Sequence, residues 1–167
     1  MTDKIILDAT CGTRSIWFNK NHPAAVYMDK RIVVNEKIWE SKDKSEKRYM
    51  NIQPDVLGDF TEIPYESNHF SLVIFDPPHI KRAGETVWIV KKYGKLNENW
   101  PQMLHDGFKE CMRVLKPEGV LIFKWSEVQI PAKEVWKALG CKPLFGHHSG
   151  KNSLTYWGVF MKGIDSK

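Results

Sequence analysis

Cysteine is scarce and scattered in this chain: Cys11, Cys111 and Cys141, with no C-x-x-C pair and no histidine at ligand spacing. That pattern excludes a disulfide scaffold and a zinc site, and reads as reduced thiols in a cytoplasmic protein that holds no metal. Long apolar runs are missing as well. None approaches the roughly 20 residues a bilayer crossing requires, and the first residues enter a strand pattern instead of the apolar core of a signal peptide. The expectation is a cytoplasmic protein with no membrane partner. Internal repeats and low-complexity tracts are absent too. With 167 residues, 42% of them hydrophobic, the chain closes one core, so 1–167 reads as a single domain.

What is abundant is aromatic area and positive charge. Seven Trp and eight Phe exceed what one small core needs, so some rings belong at a binding face. The net charge of +5 favours an acidic or phosphate-bearing partner by long-range attraction.

Short apolar runs recur, and four of them stop at aspartate. KIILD ends at Asp8, PAAVYMD at Asp29, DVLGD at Asp59 and SLVIFD at Asp76. After Asp8 the sequence ATCGTR leads into SIWF, which reads as the opening of a helix. Residues 30–48 carry dense charges of both signs and read as a solvated helix plus loop. Residues 80–100 form the longest stretch without a regular pattern, suited to a functional loop or lid. From Pro101, apolar residues recur at helical spacing up to KPEG. GVLIFKW at 119–125 is a fifth strand, 132–139 a short helix, and KPLFG at 142–146 with SLTYWGVFM at 153–161 a closing antiparallel pair. The fold class that follows is α/β: a Rossmann-like three-layer α/β/α sandwich with a mostly parallel seven-stranded sheet and an antiparallel C-terminal hairpin. Such sheets bind ligands beyond the carboxyl ends of their strands.

The order of these segments resembles the class I S-adenosylmethionine-dependent methyltransferases over nearly the whole chain. DATCGTR at 8–14 stands where that family has an acid and alternating glycines; Gly12 is the one glycine kept, with Thr10 and Arg14 in the outer places. The resemblance implies S-adenosylmethionine as cofactor, held by Asp8, Thr10, Cys11 and Gly12, by Asp29 at the ribose hydroxyls, and by Asp59 and Phe60 at the adenine.

DPPH at 76–79 resembles the signature of family members that methylate exocyclic amines, where Asp, Asn or Ser precedes Pro-Pro and an aromatic residue. The residue types suit the chemistry. An aromatic amine is a poor nucleophile because its lone pair is delocalised into the ring. Accepting its two N–H groups on a carboxylate and a carbonyl favours the pyramidal nitrogen that attacks in line. Asp76 supplies one acceptor and the Pro77 carbonyl the other. Pro77 and Pro78 keep both aimed because each fixes its φ. His79 takes the stacking place and is smaller than the usual Tyr or Trp, so Trp88, Tyr93 or Trp125 are candidates to add to the stack. The catalytic set is therefore Asp76, Pro77, Pro78 and His79. Substrate contacts are expected from Lys81, Arg82, Lys91 and Lys92 in the loop, from Lys124 and Trp125 ending the fifth strand, and from His147 and Lys151 near the last strands, beside His148.

The expected activity is S-adenosylmethionine-dependent N-methyl transfer to a nucleic acid base, adenine N6 foremost, on DNA or RNA. The compact layout is similar in a general way to small methyltransferases carried by phages. Two alternatives stand beside it: methyl transfer to a small molecule or protein, and a non-catalytic methyltransferase-like binding subunit. Little chain is left for a target-recognition domain, which leaves room for a partner subunit or a homodimer.

Overall fold

The computed structural model describes residues 4–84, 88–150 and 153–164. Seven strands form one sheet: β1 (Ile6–Asp8), β2 (Ala25–Asp29), β5 (Val56–Leu57), β6 (Phe70–Phe75), β7 (Leu115–Ser126), β8 (Phe145–His148) and β9 (Thr155–Met161), in spatial order β5-β2-β1-β6-β7-β9-β8. The first five pair in parallel; β9 runs antiparallel to both β7 and β8. This is the Rossmann-like sheet with an antiparallel C-terminal hairpin. The order reverses between β1 and β6, so a crevice opens where those two strands end.

Alternation along the strands sends one set of side chains to each face. Leu7, Val26, Met28, Val73, Phe75, Leu121, Phe123 and Trp125 form one buried core with α2 (Trp100–Val114) and α3 (Ala132–Leu139). α2 places Leu104, Phe108, Cys111 and Val114 on its buried face, at the spacing the sequence displays. Gly107 lies against the sheet: a Cβ there would stand 2.5 Å from Phe60 Cδ2 and 3.0 Å from Phe75 Cζ. On the other face Leu72, Ile74, Val120 and Ile122 stay half-buried.

Two expected helices are not formed. The segment after β1 is a series of turns in place of the helix read at SIWF. Arg14 takes a left-handed φ of 54°. Its guanidinium donates to the Lys20 and Gln53 carbonyls at 2.7 and 2.8 Å and lies 3.8 Å over the Tyr27 ring, which ties the loop down. The Trp17 indole donates to Asp8 Oδ2 at 2.7 Å, drawing that side chain inward. Residues 30–48, read as a solvated helix plus loop, instead enter an antiparallel hairpin of β3 (Val33–Glu40) and β4 (Lys47–Ile52). Its turn is closed by Ser41 and Glu46, whose backbones bond at 2.9 Å, with Asp43 accepting from Ser45 inside.

The stretch 80–100 contains a short helix, α1 (Trp88–Tyr93), that packs on β3. Among the described residues no helix is long and apolar enough to cross a membrane.

Candidate functional site

The turns that follow β1, β2, β5 and β6 converge with the end of α1 on one open cavity. Thr10, Cys11 and Gly12 come from the first turn, Asp29 from the second strand, Phe60 from the third turn, and Asp76 and Pro78 from the fourth. Across the crevice the Asp76 backbone N–H donates to Thr10 Oγ1 at 2.8 Å, joining the ends of β1 and β6. Gly12 adopts a φ of +48°, and nothing lies within 4 Å of the place a Cβ would take, so its backbone faces open space. That is room for a ligand to approach main chain. Burial pushes the Cys11 thiol up to about 12, so it stands in the wall as a neutral group.

Asp29 is buried and in demand. Its Oδ2 accepts the Gly12 N–H at 3.0 Å, and its Oδ1 accepts the Arg31 N–H and Nε at 3.0 and 3.1 Å. Arg31 also donates to the Lys91 carbonyl at 3.0 Å, so one side chain clamps the end of β2 to the end of α1. The sequence reading overlooked Arg31; its place two residues past a strand-ending acid was the available signal.

On the side away from the crevice Asp76 meets Lys124 of the neighbouring β7, Nζ to Oδ2 at 2.5 Å. Lys124 therefore engages one carboxylate oxygen and leaves Oδ1 as the other. The prolines turn the chain so that Pro78 lines the cavity and packs near Gly94, whose φ of +80° ends the turn after α1.

His79 departs from its expected stacking place. It is 6% exposed, does not line the cavity, and rests against Tyr93 and Trp125 with centroids 5.4 and 6.3 Å away. Burial holds its imidazole below the ordinary histidine range despite the Asp76 carboxylate nearby, and Nδ1 has no hydrogen-bond partner. Tyr93, the ring His79 rests against, does line the cavity, as Phe60 does.

Asp8 and Asp59 also stand apart from the cavity lining. Asp59 is partly exposed and closes its own turn on Thr61, whose N–H and Oγ1 donate at 2.9 and 2.8 Å. Asp8 points to the opposite face from Leu7, beneath Trp17. Burial raises its carboxyl from 3.8 to about 7, outweighing the Trp17 hydrogen bond. Below about pH 4 the group is protonated whether the chain is folded or not. Between there and about 7 unfolding releases a proton, so stability falls as the pH rises, by roughly 4 kcal/mol in total. Thermal unfolding from pH 5 to 8 should display this downward slope, and Asp8→Asn should flatten it; an unchanged slope in the variant would remove Asp8 as its source.

The cations divide. Lys92 lines the cavity, and Lys91 pairs with Glu36 at 2.8 Å. Lys81 and Arg82 lie at a second depression, where Gln129 Oε1 accepts their backbone N–H groups at 2.8 and 2.6 Å. Trp125 is fully buried, its indole donating to the Ile130 carbonyl at 2.9 Å, so it is a core residue and cannot meet a substrate. His147 and His148 belong to edge strand β8, beyond β9, and neither lines the cavity; His148 pairs with Glu127. Lys151 lies outside the described residues. Among the described residues no three metal-ligating side chains gather.

No protein-family model and no curated protein matches the chain. Solved structures do. A protein of Pyrococcus horikoshii OT3 is 18% identical with a TM-score of 0.50, the alignment covering 94% of this chain and 81% of that one. A SAM-dependent methyltransferase of Leishmania major is 12% identical with a TM-score of 0.52, covering 93% of this chain and 63% of that one. This chain thus spans less than two thirds of the Leishmania protein, and likeness at these identities establishes a shared fold.

Proposed function

We propose that the chain is an S-adenosylmethionine-dependent N-methyltransferase acting on an exocyclic amine of a nucleic acid base, adenine N6 foremost. The observation that carries this reading is that Asp76 and Pro78 line the same cavity as Gly12, Asp29 and Phe60, so an amine acceptor and the residues suited to a nucleoside face one space. The Leishmania relative, which is described as SAM-dependent, agrees with the choice of cofactor.

The residues present fit that cofactor. The open backbone at Gly12 suits the amino-acid portion, Asp29 suits the ribose hydroxyls, and the Phe60 ring suits the adenine. Arg31 shares Asp29 and would have to share it with the ribose. Bound there, S-adenosylmethionine supplies an electrophilic methyl group. The chain's own contribution is positional. Asp76 Oδ1 accepts one amine N–H while Lys124 holds Oδ2, and the rigid Pro-Pro turn keeps the acceptor aimed. Tyr93 offers the ring face against which the base lies. Held in this way, the amine nitrogen would keep its lone pair directed at the methyl group the cofactor would supply, and the proton the amine sheds would leave to solvent.

The test is a labelled methyl-transfer assay on separated DNA, RNA and protein, followed by mass spectrometry of the nucleosides. Label recovered as N6-methyladenine is the expected result. Label confined to protein or small molecules would overturn the substrate, and no label in any fraction together with no cofactor binding would overturn the enzyme.

A further inference from the structure

The β3–β4 hairpin carries rings that a solvated connection has no use for. Trp39 is 38% exposed, Tyr49 49% and Trp88 of α1 47%. With Ile38, Arg48 and Lys92 they line one open depression. Among the described residues no carboxylate lines it: Glu36 is engaged by Lys91 at 2.8 Å, and Glu40 by Lys37 and Lys47 at 3.0 and 3.6 Å. The Arg48 guanidinium lies 5.0 Å over the Trp39 ring. The Lys91 ion pair pins α1 to β3, which brings Trp88 to the same surface. Lys92 lines both this depression and the cavity of Asp76, so the two adjoin.

An aromatic floor with a cationic rim and no acid suits a ligand made of flat π faces strung on phosphates. A duplex hides its base faces in its own stack, whereas a single strand offers them. We infer that this depression is a platform for single-stranded nucleic acid: bases flanking the target stack on Trp39, Tyr49 and Trp88, and Arg48 and Lys92 meet the phosphates. The inference rests on the nucleic acid reading above and narrows it, because the target must be unpaired or locally opened.

Fluorescence anisotropy tests it, using a labelled adenine-containing single strand of about 12 nucleotides, as DNA and as RNA, against the matching duplex without cofactor. The single strand should bind about tenfold tighter than the duplex. Trp39→Ala and Trp88→Ala should each weaken single-strand binding by roughly tenfold, with Trp39→Phe retaining most of it. Arg48→Gln should lower the salt slope by about one. Both rings are exposed, so these variants keep the fold, which circular dichroism verifies. Unchanged affinity in both alanine variants overturns the platform and leaves a protein contact as the use of this face. Equal affinity for duplex overturns it as well. The two proposals fail separately. A strand that depends on Trp39 for binding but is never methylated removes the reaction and keeps the platform; a methylated strand with unchanged binding in the variants does the reverse.

Discussion

Asp76→Ala is expected to lower methyl transfer by roughly 10²- to 10³-fold while S-adenosylmethionine still binds, because the variant loses an acceptor aimed at the amine and keeps the cradle. Asp76 touches the cavity from the end of β6, and its neighbours Thr10 and Lys124 fix it from two sides at 2.8 and 2.5 Å. The backbone bond to Thr10 survives the substitution, so the wall next to Gly12 should stay in place. Lys124 loses its partner in a part-buried setting, which costs some stability. Asp76→Asn separates the effects: it keeps one acceptor oxygen and should retain more turnover than alanine if that oxygen is the part that matters. Single-turnover kinetics on an adenine-containing strand and calorimetric titration with the cofactor measure the two quantities. Full turnover in the alanine variant would sink the assigned role.

Gly107→Ala is expected to destabilise the fold and weaken cofactor binding together. Its new Cβ would stand 2.5 Å from the Phe60 ring, closer than any real contact permits, and 3.0 Å from Phe75. Phe60 is buried, with its ring 5.1 Å from that of Phe75, so it has little space to yield except toward the cavity it lines. Overpacking of this kind costs about 1–3 kcal/mol, which for a chain of this size lowers the melting temperature by roughly 2–10 °C. Cofactor affinity should fall at a temperature where the variant is still folded. A lower melting temperature with unaltered affinity would separate Phe60 from the binding site.

Much of the sheet was legible because its signals are local. Apolar runs of strand length, turn residues between them and helical spacing from Met103 to Leu115 each depend on residues close in sequence, although Leu115 itself opens β7. The α3 segment 132–139 coincides with the helix observed. The hairpin at 33–52 was hidden by composition: charges of both signs at helix-like spacing resemble a solvated helix, while the alternation that betrays a strand is spread over exposed residues. Its partner strand and turn then decided the matter through hydrogen bonds no local pattern displays.

The site divides along the same line. DPPH announced itself because two prolines after an acid are an unusual and rigid arrangement, and Asp76 and Pro78 do line the cavity. His79 did not follow, since the direction a side chain takes after such a turn is set by what stands behind it, here Tyr93 and Trp125. Four acids ended four runs, but only Asp29 and Asp76 line the cavity. Asp8, in register with Tyr27 and Ile74, lies two residues deeper in the sheet than Asp29 and Asp76 and is covered by Trp17, and Asp59 was taken up by its own turn.

By itself, then, the amino-acid order determined the succession of strands, the rigid acidic exit from β6 and the reach of one core. Tertiary structure alone decided which acids share a space, that Lys124 occupies an oxygen of Asp76, and that a charged connection is a hairpin bearing two open rings. The reason is physical: backbone periodicity and proline stiffness act between neighbours in the chain, whereas burial, ion pairing and ring contact depend also on groups that the fold brings together from distant positions, as it does Asp76 and Lys124, 48 apart.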